Sequence, residues 1–425
     1  MTFVVTKSSP SVLVRPSEPT PAATIRPTST DMTRLGMSFT SFHVFERGVD
    51  EPAETIRRAL SRALVHYYPF AGRLAGSGDD VVFSCTGEGV VFVRATANCT
   101  LEDVNFLGAP VVMSLADLAV RYGGPCRAAS DPLMMMQVTE FACGGFVVAA
   151  TWNHGVADAC GLAQFLRAVG ELARGLHSPS VVPVRYDESL PDIPQLATIL
   201  LKRLAAGVKF AHVDFAYCDV IIPWSFVNRV KAEFGSRHAG DRPCSVFEAV
   251  TAAMWQCRTR AINGHGGGAL APLVFAANVR KHVGAKDGYY GNCIMSQVVV
   301  ATADAVANGD VVDLVKLIKD AKERIPVLVS TKTLGLDDGG GGELVAALCG
   351  YGALYASSWA GLGLDGVDFG GGRPARVIPD SEVKMLPSIS PGAPCSMMDG
   401  HGVNVVASCV TDEHLEGFRA QLARL

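Results

Sequence analysis

The sequence predicts an α/β protein built as two domains. Strand-like and helix-like segments alternate along the chain, which is the pattern of an α/β fold. The chain has 425 residues, more than one hydrophobic core usually organises. Residues 178–217 are rich in turn-forming residues and separate two halves that each resume a regular pattern. We therefore expect one domain at residues 1–177 and another at 218–425, with 178–217 as the crossover.

Composition excludes several classes of partner. Hydrophobic residues make up 49% of the chain, charged residues 18%, and the formal net charge is −4, so there is no basic field for nucleic acid or an anionic membrane. No apolar run reaches the roughly 18 residues of a membrane span, and prolines interrupt the N-terminal segment. Twelve cysteines are scattered without zinc spacing, which predicts free thiols and no metal site. We expect a cytoplasmic protein without nucleic-acid or membrane partners.

The first half predicts a strand that leads directly to a histidine. Residues 40–48 predict a short strand and residues 51–74 a helix that ends at Pro69. Residues 79–97 predict two strands around a turn, and residues 133–153 predict a second hairpin. His154 follows that hairpin and precedes a helix with one apolar face, marked by Leu162, Phe165, Leu166, Val169 and Leu172. His154 therefore lies at a strand-to-helix junction.

The second half begins with a helix signal and continues into strands. Ser245 followed by Glu248 forms an S-x-x-E capping box that predicts a helix N-terminus. Residues 271–280 and 292–302 have strand character, and the glycine-rich stretches near 265 and 340 predict mobile surface loops. The H-G-G-G at residues 265–268 resembles a hydrolase oxyanion loop, but the chain has no G-x-S-x-G motif to supply a nucleophile.

His154 and Asp158 form an H-x-x-x-D pair, which admits two interpretations. Such a pair occurs by chance in many proteins of this size, and the simpler interpretation is a junction histidine with a solvated aspartate. Loops at strand ends, however, often present catalytic groups, and a neutral imidazole is the usual general base at neutral pH. The pair alone does not decide between these interpretations.

Four further segments of the chain carry a family resemblance. The H-x-x-x-D pair together with "VDFGGGRP", which contains Asp368, Phe369 and Gly370, resembles the two signatures of the plant BAHD acyl-CoA-dependent acyltransferases. Three more segments resemble blocks of that family in the same order along the chain: "LVHYYPFAGRL", "SVFEAVTAAMWQCRTRA" and "NVRKHVGAKDGYYGN". The resemblance spans nearly the whole chain and is far more specific than either signature alone.

The resemblance implies a two-domain fold of the chloramphenicol-acetyltransferase type, with the active-site channel between the domains. His154 is then the general base that deprotonates the acceptor while acyl-CoA serves as co-substrate, and no other cofactor is needed. The candidate catalytic residues are His154, Asp158 and Asp368. Of these, Asp158 is expected to form a structural ion pair with Arg280, and Asp368 to shape the CoA side.

The resemblance extends to further residues and to the state of the protein. Gly370 belongs to the structural support of the second signature. Ser245, Asn278 and Asn292 are candidates for the CoA side. Free-standing relatives are generally monomeric, so the resemblance also implies a monomer.

Two positions depart from the family pattern. Gly371 stands where tryptophan is usual in the second signature, and Ala159 stands where glycine usually follows the aspartate of the first. The missing indole widens the acceptor pocket, removes a donor to the oxyanion, or loosens the loop. These alternatives stay open at the level of sequence.

Strand alternation suggests which residues line the acceptor pocket. Thr40, Phe42 and Val44 share one face of the first strand, and with Gly371 they are candidates for this lining, although ordinary core packing explains them equally well. Such a pocket is mostly apolar, and no obvious arginine reaches toward an acidic acceptor. We expect transfer of a benzoyl or hydroxycinnamoyl group to a small amine or alcohol.

Three alternatives remain at this level. The first is a transferase that uses an aliphatic acyl-CoA, and the second is a non-catalytic relative that binds CoA esters or a partner. The third is a peptide-synthetase condensation module, but Asn153 stands where that class has its first histidine.

Overall fold

A computed structural model describes residues 3–205, 213–262, 268–334, 341–381, 386–398 and 400–425. The strands of this part of the chain are β1 Val5–Lys7, β2 Val12–Val14, β3 Thr24–Ile25, β4 Ser38–Phe45, β5 Arg73–Ala75, β6 Val82–Ser84, β7 Val90–Ala97, β8 Met134–Glu140, β9 Phe146–Asn153, β10 Cys218–Pro223, β11 Leu273–Asn278, β12 Ile294–Val299, β13 Leu354–Ala356, β14 Arg376–Ser381, β15 Ser388–Pro391 and β16 Gly402–Ser408. Its α-helices are α1 Ser29–Met32, α2 Pro52–His66, α3 Ala159–Ala173, α4 Leu196–Ala205, α5 Trp224–Arg237, α6 Val246–Ile262, α7 Arg280–Val283, α8 Ala303–Asn308, α9 Val311–Glu323, α10 Ile325–Thr331, α11 Gly341–Cys349 and α12 Asp412–Leu422.

Two mixed sheets organise these elements, so the expected α/β class is confirmed. The first sheet has seven strands in the order β1-β7-β8-β9-β4-β14, with β2 also paired to β7. The second has six strands in the order β10-β16-β15-β13-β11-β12. A separate sheet of three short strands joins β3, β6 and β5.

Helices cover one face of each large sheet because their apolar residues recur at helical spacing. In α2, buried Ile56, Leu60 and Leu64 follow one another at intervals of four residues, and they pack with α3 on the first sheet. Helices α5, α6, α9 and α12 form the corresponding core on the second sheet. The expected capping box at Ser245 is present at the start of α6, where Glu248 N donates to Ser245 Oγ at 3.3 Å.

Strand β14 links the two halves of the chain, whose expected domain bounds stay a prediction. It comes from the second half of the chain, yet it pairs antiparallel with β4, from Arg376 opposite Val44 to Ser381 opposite Phe39. Without β14, β4 would be an exposed edge strand, and covering an edge with a distant segment prevents unwanted pairing. The domain proposed at 218–425 therefore supplies a strand to the first sheet.

Strands β6 and β7 require a correction. They occur where two strands around a turn were expected, but β6 belongs to the small sheet and β7 pairs with β8 in the first sheet. The expected hairpin of β8 and β9 is present with antiparallel register.

The crossover is more structured than expected. Residues 178–205 include helix α4 and three buried polar side chains, Arg185, Asp187 and Gln195. The glycine-rich positions 263–267 and 335–340 lie outside the described residues, whereas Gly341 and Gly342 begin α11. All twelve cysteines have free thiols. Within the described segments, no helix is both long enough and apolar enough to cross a bilayer.

Candidate active site

A cavity of about 330 Å³ lies between the two large sheets, with His154 on its wall. The first sheet and the segments beside it contribute Met37, Phe39, Trp152, His154, Ala159 and residues 379–381. The second sheet contributes the face that its helices leave uncovered: Val274, Ala276, Ile294, Ser296, residues 355–357, residues 388–390, Val406 and Ser408. Arg34, Tyr217, Trp359 and Leu386 complete the lining. The volume is in the range of small-molecule sites.

His154 follows β9 and turns its ring toward this cavity. Its backbone N–H donates to Met37 O at 2.7 Å, which fixes the junction to the segment before β4. The edge of the ring packs against Phe39, with 5.0 Å between the ring centroids. Nδ1 is buried and has no hydrogen-bond partner among the described residues, so Nε2 is the nitrogen left for the cavity.

The surroundings keep this imidazole neutral. Burial lowers the pKa of His154 to about 4, and the nearby positive charge of Arg34 acts in the same direction. A neutral ring has a lone pair available at one nitrogen, which is the state that a general base requires. Proton acceptance is therefore the chemistry that this ring can offer to the cavity.

Asp158 is the N-cap of α3 and does not line the cavity. Its carboxylate accepts hydrogen bonds from Arg280 Nη2 at 2.8 Å, Cys293 N at 3.0 Å and Gly161 N at 3.0 Å. Burial opposes its ionisation, but Arg280 and the two N–H groups outweigh burial and hold the pKa of Asp158 below its ordinary value. The expected ion pair with Arg280 is present, and Asp158 holds the His154 loop instead of touching the cavity.

Asn292 anchors the same loop from the other side, and its assignment to the CoA side stays a prediction. Its Nδ2 donates to His154 O at 2.7 Å and to Asp31 Oδ1 at 2.9 Å. Asp31 is fully buried and also pairs with Arg185 Nη2 at 2.9 Å. Sequence reasoning missed Asp31, although the T-x-x-D capping box that starts at Thr28 was visible in the sequence.

The second signature lies away from the cavity, which corrects the assignment of Gly371 to the lining of the acceptor pocket. Asp368 accepts hydrogen bonds from Gly370 N at 2.7 Å and Gly372 N at 3.0 Å, so it organises its own loop. A Cβ at Gly371 would lie 2.5 Å from Arg47 O, so the missing tryptophan leaves no open space there. Asp368 is therefore structural, and Gly371 does not widen an acceptor pocket.

The face assigned to strand β4 is also corrected. Thr40, Phe42 and Val44 share a face, as alternation predicted, but it is the face opposite the cavity. Phe42 and Val44 pack in a separate core, and Thr40 Oγ1 bonds Thr151 Oγ1 at 2.8 Å. Phe39 is the β4 side chain that lines the cavity.

Ser245 and Asn278 do not line this cavity, and their assignment to the CoA side stays a prediction. Ser245 caps α6. Asn278 Oδ1 accepts a hydrogen bond from Arg280 N at 3.0 Å and so supports the residue that pairs with Asp158.

Comparisons with known proteins agree with this geometry. A family model described as the Transferase family matches residues 3–425. Acyl transferase 15 of Oryza sativa subsp. japonica is 41% identical, over 100% of this chain and 99% of its own length. Myricetin 3-O-glucosyl 1,2-rhamnoside 6'-O-caffeoyltransferase AT1 of Crocosmia x crocosmiiflora is 35% identical, over 99% of each chain.

A solved structure shows the same fold. The crystal structure of vinorine synthase superposes with a TM-score of 0.70 at 18% identity, over 99% of this chain and 98% of that one. Fold and site thus define an acyltransferase with the two-domain chloramphenicol-acetyltransferase architecture. More narrowly, the chain belongs to the BAHD family of acyltransferases.

Proposed function

We propose that the protein transfers a benzoyl or hydroxycinnamoyl group from its CoA thioester to a hydroxyl or amine of a small specialised metabolite. His154 is the general base, acyl-CoA is the co-substrate, and no other cofactor takes part. The observation that carries the proposal is a neutral imidazole on the wall of the cavity between the two sheets. The monomeric state and the cytoplasmic location expected from the sequence stay predictions.

One imidazole accounts for both proton transfers. The acceptor oxygen attacks the thioester carbonyl carbon while Nε2 of His154 takes its proton, and the carbonyl electron pair moves onto the oxygen. When the intermediate collapses, the carbonyl re-forms and the C–S bond breaks with its electron pair on sulfur. The imidazolium returns the proton to that sulfur. The products are the ester and free CoA, and no acyl-enzyme forms.

The aromatic side chains of the cavity support an aromatic acyl group. Five line it: Phe39, Trp152, Tyr217, Tyr355 and Trp359. Such rings stack on flat conjugated groups and bury a large area. The Crocosmia relative is named a caffeoyltransferase, which points to the same class of donor.

The polar lining favours a hydroxyl over an amine as the acceptor. Six serines contribute hydroxyls that both donate and accept: Ser296, Ser357, Ser381, Ser388, Ser390 and Ser408. Asp380 is a carboxylate on this wall, but it already pairs with Arg121 at 2.5 Å. Among the described lining residues, no other carboxylate is available to bind an ammonium group.

A panel assay tests the proposal. Purified protein is incubated with p-coumaroyl-, benzoyl- or acetyl-CoA and mixtures of alcohols and amines, and free thiol and product mass are measured. We expect aromatic esters from the wild type and a loss of about 100-fold or more in His154→Gln. Transfer of acetyl groups alone would refute the aromatic donor. Turnover that survives His154→Gln would refute the mechanism, and CoA-ester binding without turnover would favour a binding protein.

A further inference from the structure

Arg34, on the wall of the active-site cavity, has two unused N–H groups. Its Nη1 donates three hydrogen bonds of 2.9 Å, to Thr30 O, Thr33 Oγ1 and Gln195 Oε1. Its Nε and Nη2 donate to none of the described residues, yet neither is among the buried atoms that lack a partner. Arg34 lines the cavity, so Nε and Nη2 are the nitrogens left to bind a substrate there.

Arg34 and His154 belong to one hydrogen-bonded unit. Met37 N donates to Arg34 O at 3.0 Å, and His154 N donates to Met37 O at 2.7 Å. Asn153 Oδ1 accepts a further bond from Gly36 N at 3.3 Å. The turn at residues 34–37 is thus tied to the end of β9, and the three hydrogen bonds from Nη1 hold the guanidinium in place beside this turn.

Arg34 has no direct ion-pair partner among the described residues. No carboxylate of the described residues lies within ion-pair distance of Arg34, and the cavity carboxylate of Asp380 is taken by Arg121. Burial lowers the pKa of Arg34 to about 10, although the charges of Asp158 and Asp31 act in the opposite direction. A cation in so buried a place strongly stabilises a negative charge that develops beside it. The Nε–Nη2 edge offers two parallel donors to such an oxygen.

We propose that Arg34 is a further catalytic residue, which donates from Nε and Nη2 to the thioester carbonyl oxygen as that oxygen becomes negative. The inference rests on the proposed function. As the acceptor attacks, the C–O bond forms, the carbonyl electron pair moves onto the oxygen, and the proton passes to His154 Nε2. The oxyanion then lies between the guanidinium and the new imidazolium. Collapse returns the electron pair to the carbonyl, and CoA leaves with its sulfur protonated by His154.

This role explains how a base beside a permanent cation functions. In the resting site, the charge of Arg34 opposes protonation of His154. Once the oxyanion forms, its negative charge offsets the positive charge of Arg34. The guanidinium then no longer opposes protonation of His154, and the imidazole takes the proton at this stage. Preorganised donors of this kind act mainly in the transition state, so their effect falls on kcat.

A carboxylate on one of the substrates could bind the same N–H groups of Arg34. The experiment therefore has to distinguish stabilisation of the oxyanion from binding of a substrate carboxylate. Arg34→Gln and Arg34→Lys are assayed with p-coumaroyl-CoA and with malonyl-CoA. The acceptors are a hydroxy acid and its methyl ester. Arg127→Gln is the matched control, because Arg127 Nη2 donates to Leu35 O at 2.8 Å and holds the same turn from the exposed side. Thermal unfolding and quenching of tryptophan fluorescence by CoA check that each variant is folded.

For an oxyanion role we expect kcat to fall about 100-fold in Arg34→Gln with every substrate pair, with KM within about threefold. Arg34→Lys recovers part of the loss, and Arg127→Gln stays within about threefold of wild type. A loss confined to malonyl-CoA or to the hydroxy acid, and expressed in KM, would overturn the proposal in favour of carboxylate binding. Full kcat in Arg34→Gln would also overturn it while leaving the acyltransferase proposal intact. A wild type that transfers no acyl group would refute both.

Discussion

Arg280 Nη2 donates a 2.8 Å hydrogen bond to Asp158 Oδ1 across 122 residues of sequence. Asp158 follows His154 in the first half of the chain, and Arg280 belongs to the second. The ion pair therefore fixes the loop of the base to the other side of the cavity. Its importance is tested by removing each partner separately and then both together.

Asp158→Ala and Arg280→Met should each destabilise the protein strongly, because each leaves a buried charge without its partner. We expect a loss on the order of 3–5 kcal/mol in the free energy of unfolding for the aspartate variant, measured by urea denaturation. The double variant should lose much less than the sum of the two single losses. Strict additivity would contradict a coupled pair.

The catalytic activity should depend on the neutral form of His154. Its pKa near 4 predicts that kcat is constant between about pH 6 and 8 and falls only as the pH is lowered toward 4. The measurement is the pH profile of kcat over short assays, with fluorescence confirming the folded state at each pH. An acid limb centred above pH 6 would show that the ring is not held neutral as described.

His43 predicts a pH dependence of stability. It is fully buried beside Ser41, and burial lowers its pKa to about 3. The unfolded chain binds a proton at this residue near pH 6.5, whereas the folded chain does not, so stability falls as the pH drops below 6.5. Between pH 6 and 4, the free energy of unfolding should fall less steeply for His43→Met than for wild type. The difference between the two slopes should be up to about 1.4 kcal/mol per pH unit. Equal slopes would exclude this role of His43.

Phe39 and Phe42 give opposite predictions from the same strand. Phe39 contacts the His154 ring and lines the cavity, so Phe39→Ala should lower kcat/KM by about tenfold or more with a smaller loss of stability. Phe42 is fully buried on the other face, so Phe42→Ala should cost about 3–5 kcal/mol in unfolding free energy. The folded fraction of this second variant should keep a normal KM. If Phe39→Ala mainly lowered stability and Phe42→Ala mainly lowered kcat/KM, the face of β4 that carries Phe42 would line the substrate pocket, as the sequence predicted.

Restoring the family tryptophan should damage this protein. Because a Cβ at Gly371 would lie 2.5 Å from Arg47 O, we expect Gly371→Trp to cost about 1–3 kcal/mol or more in stability without changing acceptor KM. Gly123→Trp is the control, because a Cβ at Gly123 would meet no atom within 4 Å. A gain of activity in Gly371→Trp would show that the loop belongs to the active site.

Local signals in the sequence carried the prediction of the His154 junction. Strand β9, the histidine and the apolar face of α3 depend on neighbours a few residues apart, and the structure has all three. The interior face of β4 was not predictable in this way. Both of its faces are covered, with half-buried Phe39 and buried Phe45 on one side and buried Phe42 and Val44 on the other, so alternation gave no contrast between core and solvent.

Long-range relationships were beyond the reach of the sequence patterns. Nothing in residues 376–381 indicates that they pair with β4 and not with the second sheet. Arg34 follows a T-x-x-D cap and precedes a glycine, a context typical of an exposed turn, yet its guanidinium lines the cavity. Such positions depend on contacts between segments that are distant in the sequence, so the pattern within one segment does not predict them.

The pairing of β14 with β4 also governs how the protein is made. During synthesis, β4, β8 and β9 leave the ribosome more than 200 residues before their last partner strand. The edge of β4 that pairs with β14 therefore stays unpaired until residue 381 has been translated. A nascent chain in this state is a substrate for chaperones, and a fragment cut at the crossover would keep that open edge and aggregate.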